Sequence, residues 1–404
     1  LLLLNSIPAT HKGQWLAVFL PAMVMLFCGL SGRPVAAQEA AAKEASPQLR
    51  QLLAAGSADL ARGDAAAAEK TFRTALALDP NSIGILNDLA ISLDHQGRTE
   101  EAIPYYHRAL KLEPGNSITA RNLAVAYFRQ QRYEEALPLL ESLARKSPDN
   151  FQILDLAGLS LFGLNRYGES AAYLERASKV RPKDLPTLYL LGQAYLREQN
   201  YAKITDVFKR IITVSPASAE AHVMMGMAYD KTFHEQKALE EYLAAEKANP
   251  DFPGVHSGLG QLYWKVGRMD EAEKEFRDEL KRYPSDPVSN CLLGRILFRK
   301  GQPQEAVPYF QAALRVSPKY KDALIGLGQA ELQINQPQKA LEPLETAVKL
   351  YPDSSRVHFL LGNALQRTGH PAEGAREREI STKLQDQRRA TYTKKLDSSA
   401  KSSH

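Results

Sequence analysis

Residues 253–286 read PGVHSGLGQLYWKVGRMDEAEKEFRDELKRYPSD, and the same order of small, apolar and polar positions returns every 34 residues on both sides of them. Within the stretch His256, Leu259, Gly260 and Tyr263 fall on one stripe, since their spacing is that of an amphipathic helix. Gly267 marks where that helix ends and the chain must turn. Ala272 and Phe276 begin a second stripe, and Pro284 closes the unit because proline disfavours helix in the residue before it. Two short helices and their turns fill such a unit and leave no room for a core of its own. It must bury its apolar faces against its neighbours, which makes the chain a solenoid.

Working outward, Pro80, Pro114, Pro148, Pro182, Pro216, Pro250, Pro284, Pro318 and Pro352 follow one another at an unbroken spacing of 34 residues. With that proline as position 32, ten units start at Leu49, Ile83, Ser117, Phe151, Leu185, Ala219, Pro253, Pro287, Lys321 and Ser355. Position 8 holds only Gly or Ala, and position 20 is small in every unit but the fifth, so facing backbones can approach closely. The fifth unit carries Ile204 and Ile211 at its helix B contacts, which predicts helices pushed apart beside Gly192. Pro104, Pro138, Pro308 and Pro343 lie inside second helices and are expected to bend or loosen the early turn. In the tenth unit Gly374, Arg378 and Ser381 replace the second apolar stripe, as befits a C-terminal cap.

These residues carry a resemblance. Leu259-Gly260, Tyr263, Ala272, Phe276 and Pro284 stand where the tetratricopeptide repeat places Leu-Gly, Tyr, Ala, an aromatic and Pro, and the chain resembles that family over residues 49–386. The resemblance implies an all-α fold, a right-handed α-solenoid of about ten helix-turn-helix units. It also implies a concave groove that holds protein or peptide partners and is lined by positions 2, 5, 9, 12 and 13 of the first helix of each pair.

Composition bounds the rest. The formal charge of the 404 residues is +5. From Arg376 onward eight Lys and Arg face four Asp and Glu, so the array itself is near neutral, which argues against nucleic acid as the main partner. Residues 1–37 read as a secretory signal peptide: Lys12 precedes an apolar run over residues 15–30, and Val35-Ala36-Ala37 offers a small-residue cleavage pattern. The run is also just long enough to stay uncleaved as an N-terminal anchor. Residues 38–48 then form a linker, residues 49–386 one continuous array, and residues 387–404 a basic tail expected to be disordered. The chain is expected to be periplasmic or secreted, or held at the inner membrane by its N-terminal segment. With Cys28 inside the leader, Cys291 is left alone, so neither an internal disulfide nor a thiolate metal site can be assembled.

Candidate binding residues lie at positions 12 and 13. Phe128, Phe162, Trp264 and Phe298 supply an apolar step, and Arg129, Arg197, Lys231, Lys265 and Arg299 a basic step beside it. Apolar side chains exposed on a groove wall mark binding sites, and the cations suit a partner with acidic groups. A plainer reading stands beside this one: a cation near a helix C-terminus is stabilised by the helix dipole whatever the partner. Position 5 runs Asn87, Arg121, Asp155, Tyr189 and position 6 has Asn122 without a following series, so neither a carboxylate-gripping set nor an asparagine ladder forms.

No enzyme is read from the chain. Gly258-Leu259-Gly260 and Gly326-Leu327-Gly328 lie inside first helices with no preceding strand, unlike a phosphate loop. His222, His256 and His358 recur at position 4, one per unit, and are read as core or semi-buried residues because ligands to one metal must converge. No cofactor or metal is expected. The resulting expectation is a non-enzymatic interaction scaffold of the cell envelope. Two alternatives are a subunit of an envelope assembly or polysaccharide-export complex, and a regulatory module for a separately encoded enzyme.

Overall fold

A computed structural model describes residues 46–401, so the expected signal peptide (1–37) and nearly all of the expected linker (38–48) lie outside the described residues. All twenty elements among them are α-helices. Two compact units divide the described chain, one ending at Pro216 and one beginning at Ala217, where the sequence suggested a single continuous array. Among the described residues no helix is long and apolar enough to cross a membrane.

The first unit contains five helix pairs: α1 Pro47–Ala61 with α2 Ala65–Leu78, α3 Ile83–His95 with α4 Thr99–Leu112, α5 Ser117–Arg129 with α6 Tyr133–Lys146, α7 Phe151–Gly163 with α8 Tyr167–Val180, and α9 Leu185–Arg197 with α10 Tyr201–Val214. The second contains α11 Ala219–Lys231 with α12 Glu235–Ala248, α13 Val255–Lys265 with α14 Met269–Arg282, α15 Pro287–Arg299 with α16 Pro303–Val316, α17 Lys321–Gln333 with α18 Pro337–Leu350, and α19 Ser355–Arg367 with α20 Pro371–Lys401. Odd-numbered helices are the A helix of a repeat and even-numbered helices its B helix. α1 starts at Pro47, two residues inside the expected linker, because the Ser46 hydroxyl accepts the Leu49 amide and proline suits the first turn.

Local chemistry sets the start of many A helices and the end of every one. Asn116, Asn150, Asp184, Ser218 and Asp286 accept the amide three residues on, which satisfies a donor the helix leaves unpaired. At the other end position 15 is left-handed in every repeat. Gly63, Gly97, Gly267, Gly301 and Gly369 take it as the sequence indicated, but Gln131, Asn165, Gln199, Asn335 and Phe233 take it too.

Packing follows the small positions. A Cβ on Gly56, Gly192, Gly260 or Gly294 would lie about 3 Å or less from the ring of Phe72, Phe208, Phe276 or Phe310, so position 8 receives the bulky residue at position 24 of its own repeat. Positions 8 and 20 also meet, since the Ser170 hydroxyl donates to the Gly158 carbonyl at 2.8 Å. The rings are fully buried, each contributing roughly 1.5–3 kcal/mol of apolar burial. The two Gly-Leu-Gly motifs are explained by the same device used twice. Gly258 receives Tyr242 from the preceding repeat while Gly260 receives Phe276 from its own, and Gly326 and Gly328 receive Phe310 and Leu344 likewise.

Two sequence expectations are corrected. The fifth repeat is not splayed beside Gly192: its hypothetical Cβ stands 2.8 Å from Phe208, as close as in its neighbours, because Ile204 and Ile211 are accommodated fully buried. Separately, the second helices containing Pro104, Pro138, Pro308 and Pro343 continue on both sides of those prolines. The chain beyond Arg388 is helical to Lys401, where disorder was expected, since nothing after Gly374 breaks a helix. On α20 the Arg378 stem fills the notch at Gly362, its Nη1 donates to Gln366, and Ser381 donates to the Ser355 carbonyl.

Candidate functional site

Positions 5 and 12 are more covered than a groove wall would be. Asn87, Asp155, Val223, Ser257, Cys291 and Ile325 at position 5 are buried. Positions 9 and 13 are the more open rows on the A helices. In the first unit position 9 carries Ile91, Val125 and Leu159 in succession, half-buried against the core. In the second unit the same row is polar from α13 onward, with Gln261, Arg295, Gln329 and Asn363.

Among the expected binding residues, Phe128 is a correction. It is only 5% exposed because Tyr133, at the start of α6, folds over it with ring centroids 5.4 Å apart. The same tyrosine covers Gly163 of the next A helix, whose lack of a side chain makes room for it. Phe162 is half-buried beneath Tyr167 at 5.1 Å in an edge-on pair. Trp264 is half-buried between Arg295 and Arg299, whose guanidinium carbons lie 5.1 and 4.7 Å from its ring. Phe298 is half-buried on the core that Trp264 also joins.

The basic row has an internal explanation that the sequence did not show. Five of the six Lys and Arg side chains at position 13 reach back to the preceding repeat. Arg129 pairs with Asp94, and Lys265 pairs with Asp230 at 2.7 Å. Arg197 lies over the Tyr167 ring at 5.8 Å, and Arg299 over Trp264. Arg367 donates to the Leu332 carbonyl at 2.7 Å and to Asn335 at 2.6 Å. The alternation of apolar and basic positions is therefore largely a staple between consecutive A helices, close to the dipole reading. Lys231 is exposed and forms no ion pair among the described residues.

Buried titratable groups form a second pattern. His222, His256 and His358 each place Nδ1 at 2.7, 2.7 and 2.6 Å from Glu241, Glu275 and Glu377, from helix A to helix B of one repeat. The bond to Glu275 raises the pKa of His256 above its ordinary value. A signal for the pairs was present: Glu stands at position 23 only in the three repeats with His at position 4, the others holding Thr71, Tyr105, Leu139, Tyr173, Val207, Tyr309 and Pro343. Glu246 joins His256 and Glu275 within 4.8 Å. Beside them Glu279 accepts the amides of Gly254 and Ser257 at the start of α13, and burial pushes its carboxyl up to about 7.

In the first unit the Thr187 hydroxyl lies 2.8 Å from both Asp155 and Asp184. One hydroxyl proton cannot serve two carboxylates, and Asp184 is already accepting the Thr187 amide. Asp155 is therefore the protonated member, consistent with burial pushing its pKa up to about 7. Burial likewise pushes the Cys291 thiol up to about 12, which leaves it an inert core group.

Repeated helix pairs locked by small-residue slots define a helical-repeat protein, and comparison with known families agrees. A family model described as tetratricopeptide repeat matches residues 53–117, 87–151, 235–287 and 291–355, and one described as Psidin, N-terminal TPR repeats region, matches 130–249. The chain belongs to the tetratricopeptide repeat family, and as such is a protein–protein interaction scaffold. Solved structures that it resembles include YrrB, described as a tetratricopeptide repeat protein with an unusual peptide-binding site: 21% identity, 49% of this chain, 97% of that one, TM-score 0.41. A tetratricopeptide repeat protein from Parabacteroides merdae shows 18% identity over 62% of this chain and 100% of its own, TM-score 0.40. MamA from Desulfovibrio magneticus RS-1 shows 18% identity over 43% of this chain and 98% of its own, TM-score 0.41. No curated protein matches the chain.

Proposed function

We propose that the chain is a non-enzymatic scaffold of the cell envelope that takes peptide or protein partners on the open face of its A helices. The observation that carries this is the row Ile91, Val125 and Leu159: three aliphatic side chains at one repeat position, half-exposed at 34-residue intervals, where an apolar track would seat an extended segment. The envelope assignment rests on the apolar run over residues 15–30 and the small residues that follow it. Fusing residues 1–45 to alkaline phosphatase, which is active only after export from the cytoplasm, tests that part. An inactive fusion ends it.

The face is tested with Ile91→Gln, Val125→Gln and Leu159→Gln combined in the full chain, with helicity checked by circular dichroism. Partners captured from an envelope extract by the wild-type chain are expected to be lost by the folded triple variant. Identical partner lists would remove the A-helix face from the reading. Phe128→Ala is unsuitable for this purpose, because the ring is core and its loss would cost about 3–5 kcal/mol of stability.

A further inference from the structure

The A–B turn edge of the sixth and seventh repeats lies apart from the row of Ile91, Val125 and Leu159 in sequence and in repeat position. Position 15 adopts the left-handed backbone in all ten repeats, and nine of them meet that demand with Gly, Asn or Gln. The sixth uses Phe233 at φ 60°, a conformation that a bulky residue rarely takes. Its ring is 78% exposed. One turn further along, Val266 is 53% exposed, and these are the two most exposed large apolar side chains among the described residues. Both features lower the stability of the free chain, one through backbone strain and one through apolar surface left in water.

The two sites are joined. Lys265, adjacent to Val266, extends its ammonium to 5.4 Å from the Phe233 ring. Lys231, two residues before Phe233, is exposed and unpaired among the described residues. Asp230, the acid beside it, is engaged by Lys265 at 2.7 Å, and Glu235 lies 3.9 Å from the same ammonium, so both nearby acids face Lys265. An apolar pair rimmed by an uncompensated cation fits one kind of occupant.

We propose that Phe233 and Val266 form a docking surface, separate from the A-helix face, for an acidic peptide segment of a partner protein. An apolar side chain of the segment covers the Phe233 ring while its carboxylates meet Lys231 and displace or share Lys265. The strained phenylalanine is kept because the bound state buries it.

Two measurements on the full chain test this. Phe233→Gly restores the residue that five other repeats use, so the variant is expected to fold and to show a higher thermal midpoint than wild type. A lower midpoint would mean that the ring is structural and would overturn the proposal. Displayed random 12-residue peptides are then selected on the immobilised wild-type chain. Enriched peptides are expected to combine Asp or Glu with an aromatic or aliphatic residue, and to bind Phe233→Gly and Lys231→Glu at least tenfold more weakly. Enrichment of basic peptides, no enrichment, or equal binding to wild type and Phe233→Gly would each overturn it. Peptides that lose affinity for the Ile91, Val125 and Leu159 variant but not for Phe233→Gly would do so while leaving the A-helix face intact.

Discussion

A single buried carboxyl shows how much the repeat tolerates in its interior. Asp155 is fully buried, with Thr187 on one oxygen and no partner on the other. Its pKa is raised to about 7, so between about pH 4 and pH 7 the folded chain holds a proton that the unfolded chain has released. Stability must therefore fall as pH rises through that window. Asn at this position can donate its amide N–H to the Thr187 hydroxyl oxygen, as the protonated carboxyl does, and carries no charge. We expect Asp155→Asn to raise the urea midpoint at pH 8, by about 1–3 kcal/mol of stability, and to leave it nearly unchanged at pH 4. Equal destabilisation at both values would show that the carboxyl is needed for its shape and not tolerated despite its charge. Exposure decides the other residue-scale comparison. Arg129 and Asp94 are largely covered, at 18% and 7% side-chain exposure, whereas Lys265 and Asp230 are at 39% and 18%. Removing Arg129 leaves the covered Asp94 carboxylate with the Thr99 hydroxyl but without its cation, a loss that reaches about 3 kcal/mol or more when burial is complete, while the exposed pair contributes about 0–1 kcal/mol. Arg129→Ala should therefore lower the midpoint clearly more than Lys265→Ala in parallel urea titrations.

Helices are placed by slots, and the slots were legible before the contacts were. The restriction of position 8 to Gly or Ala announced a close approach, and the structure supplies the ring that fills it. Position 6 was less legible. Gly258 and Gly326 are the only glycines there, so one chain gives no rule, and only geometry shows that they admit Tyr242 and Phe310 from the preceding repeat. A Cβ at Gly258 would stand 2.2 Å from the Tyr242 ring. That ring is itself confined, with 3% exposure, so it cannot move aside freely. Gly258→Ala is expected to destabilise the second unit by about 1–3 kcal/mol despite the better helix propensity of alanine. Thermal unfolding followed by circular dichroism would show it, and an unchanged or raised midpoint would mean that the slot has slack. The candidate site was harder to read than the fold for a related reason. Helix phase told which way Phe128 and Arg129 point, but not that Tyr133 and Asp94, from an adjoining helix or repeat, would cover them.

At the scale of the whole molecule the chain's own repeats serve as an alignment, and the periodic positions are where reading succeeded. Periodicity is silent where one repeat departs from the rest, as at Phe233, or where a pair of positions changes together, as with His256 and Glu275. The departures are also where charge enters the core, and their signs agree. Burial raises Asp88 to about 6 and Asp155 to about 7 in the first unit, and Glu279 to about 7 and Glu220 to about 8 in the second. Each acid lowers stability as pH rises above its ordinary range, because the folded chain must then ionise a desolvated group. His256, raised by Glu275, adds stability that is complete below about pH 6.5 and is lost as pH rises through its folded value. On the acid side the opposite holds for Glu69, Glu175 and Glu273, whose lowered values stabilise the fold above about pH 4.5 and fail below it. Maximal stability is therefore expected near pH 5, below the common optimum for folded chains. Urea midpoints of the full chain at pH 5 and pH 8 test this, with the lower midpoint expected at pH 8 and the difference reduced in an Asp88→Asn, Asp155→Asn double variant. A midpoint that rises toward pH 8 would mean that the buried acids ionise without cost, and that the polar groups around them solvate charge far better than their packing allows.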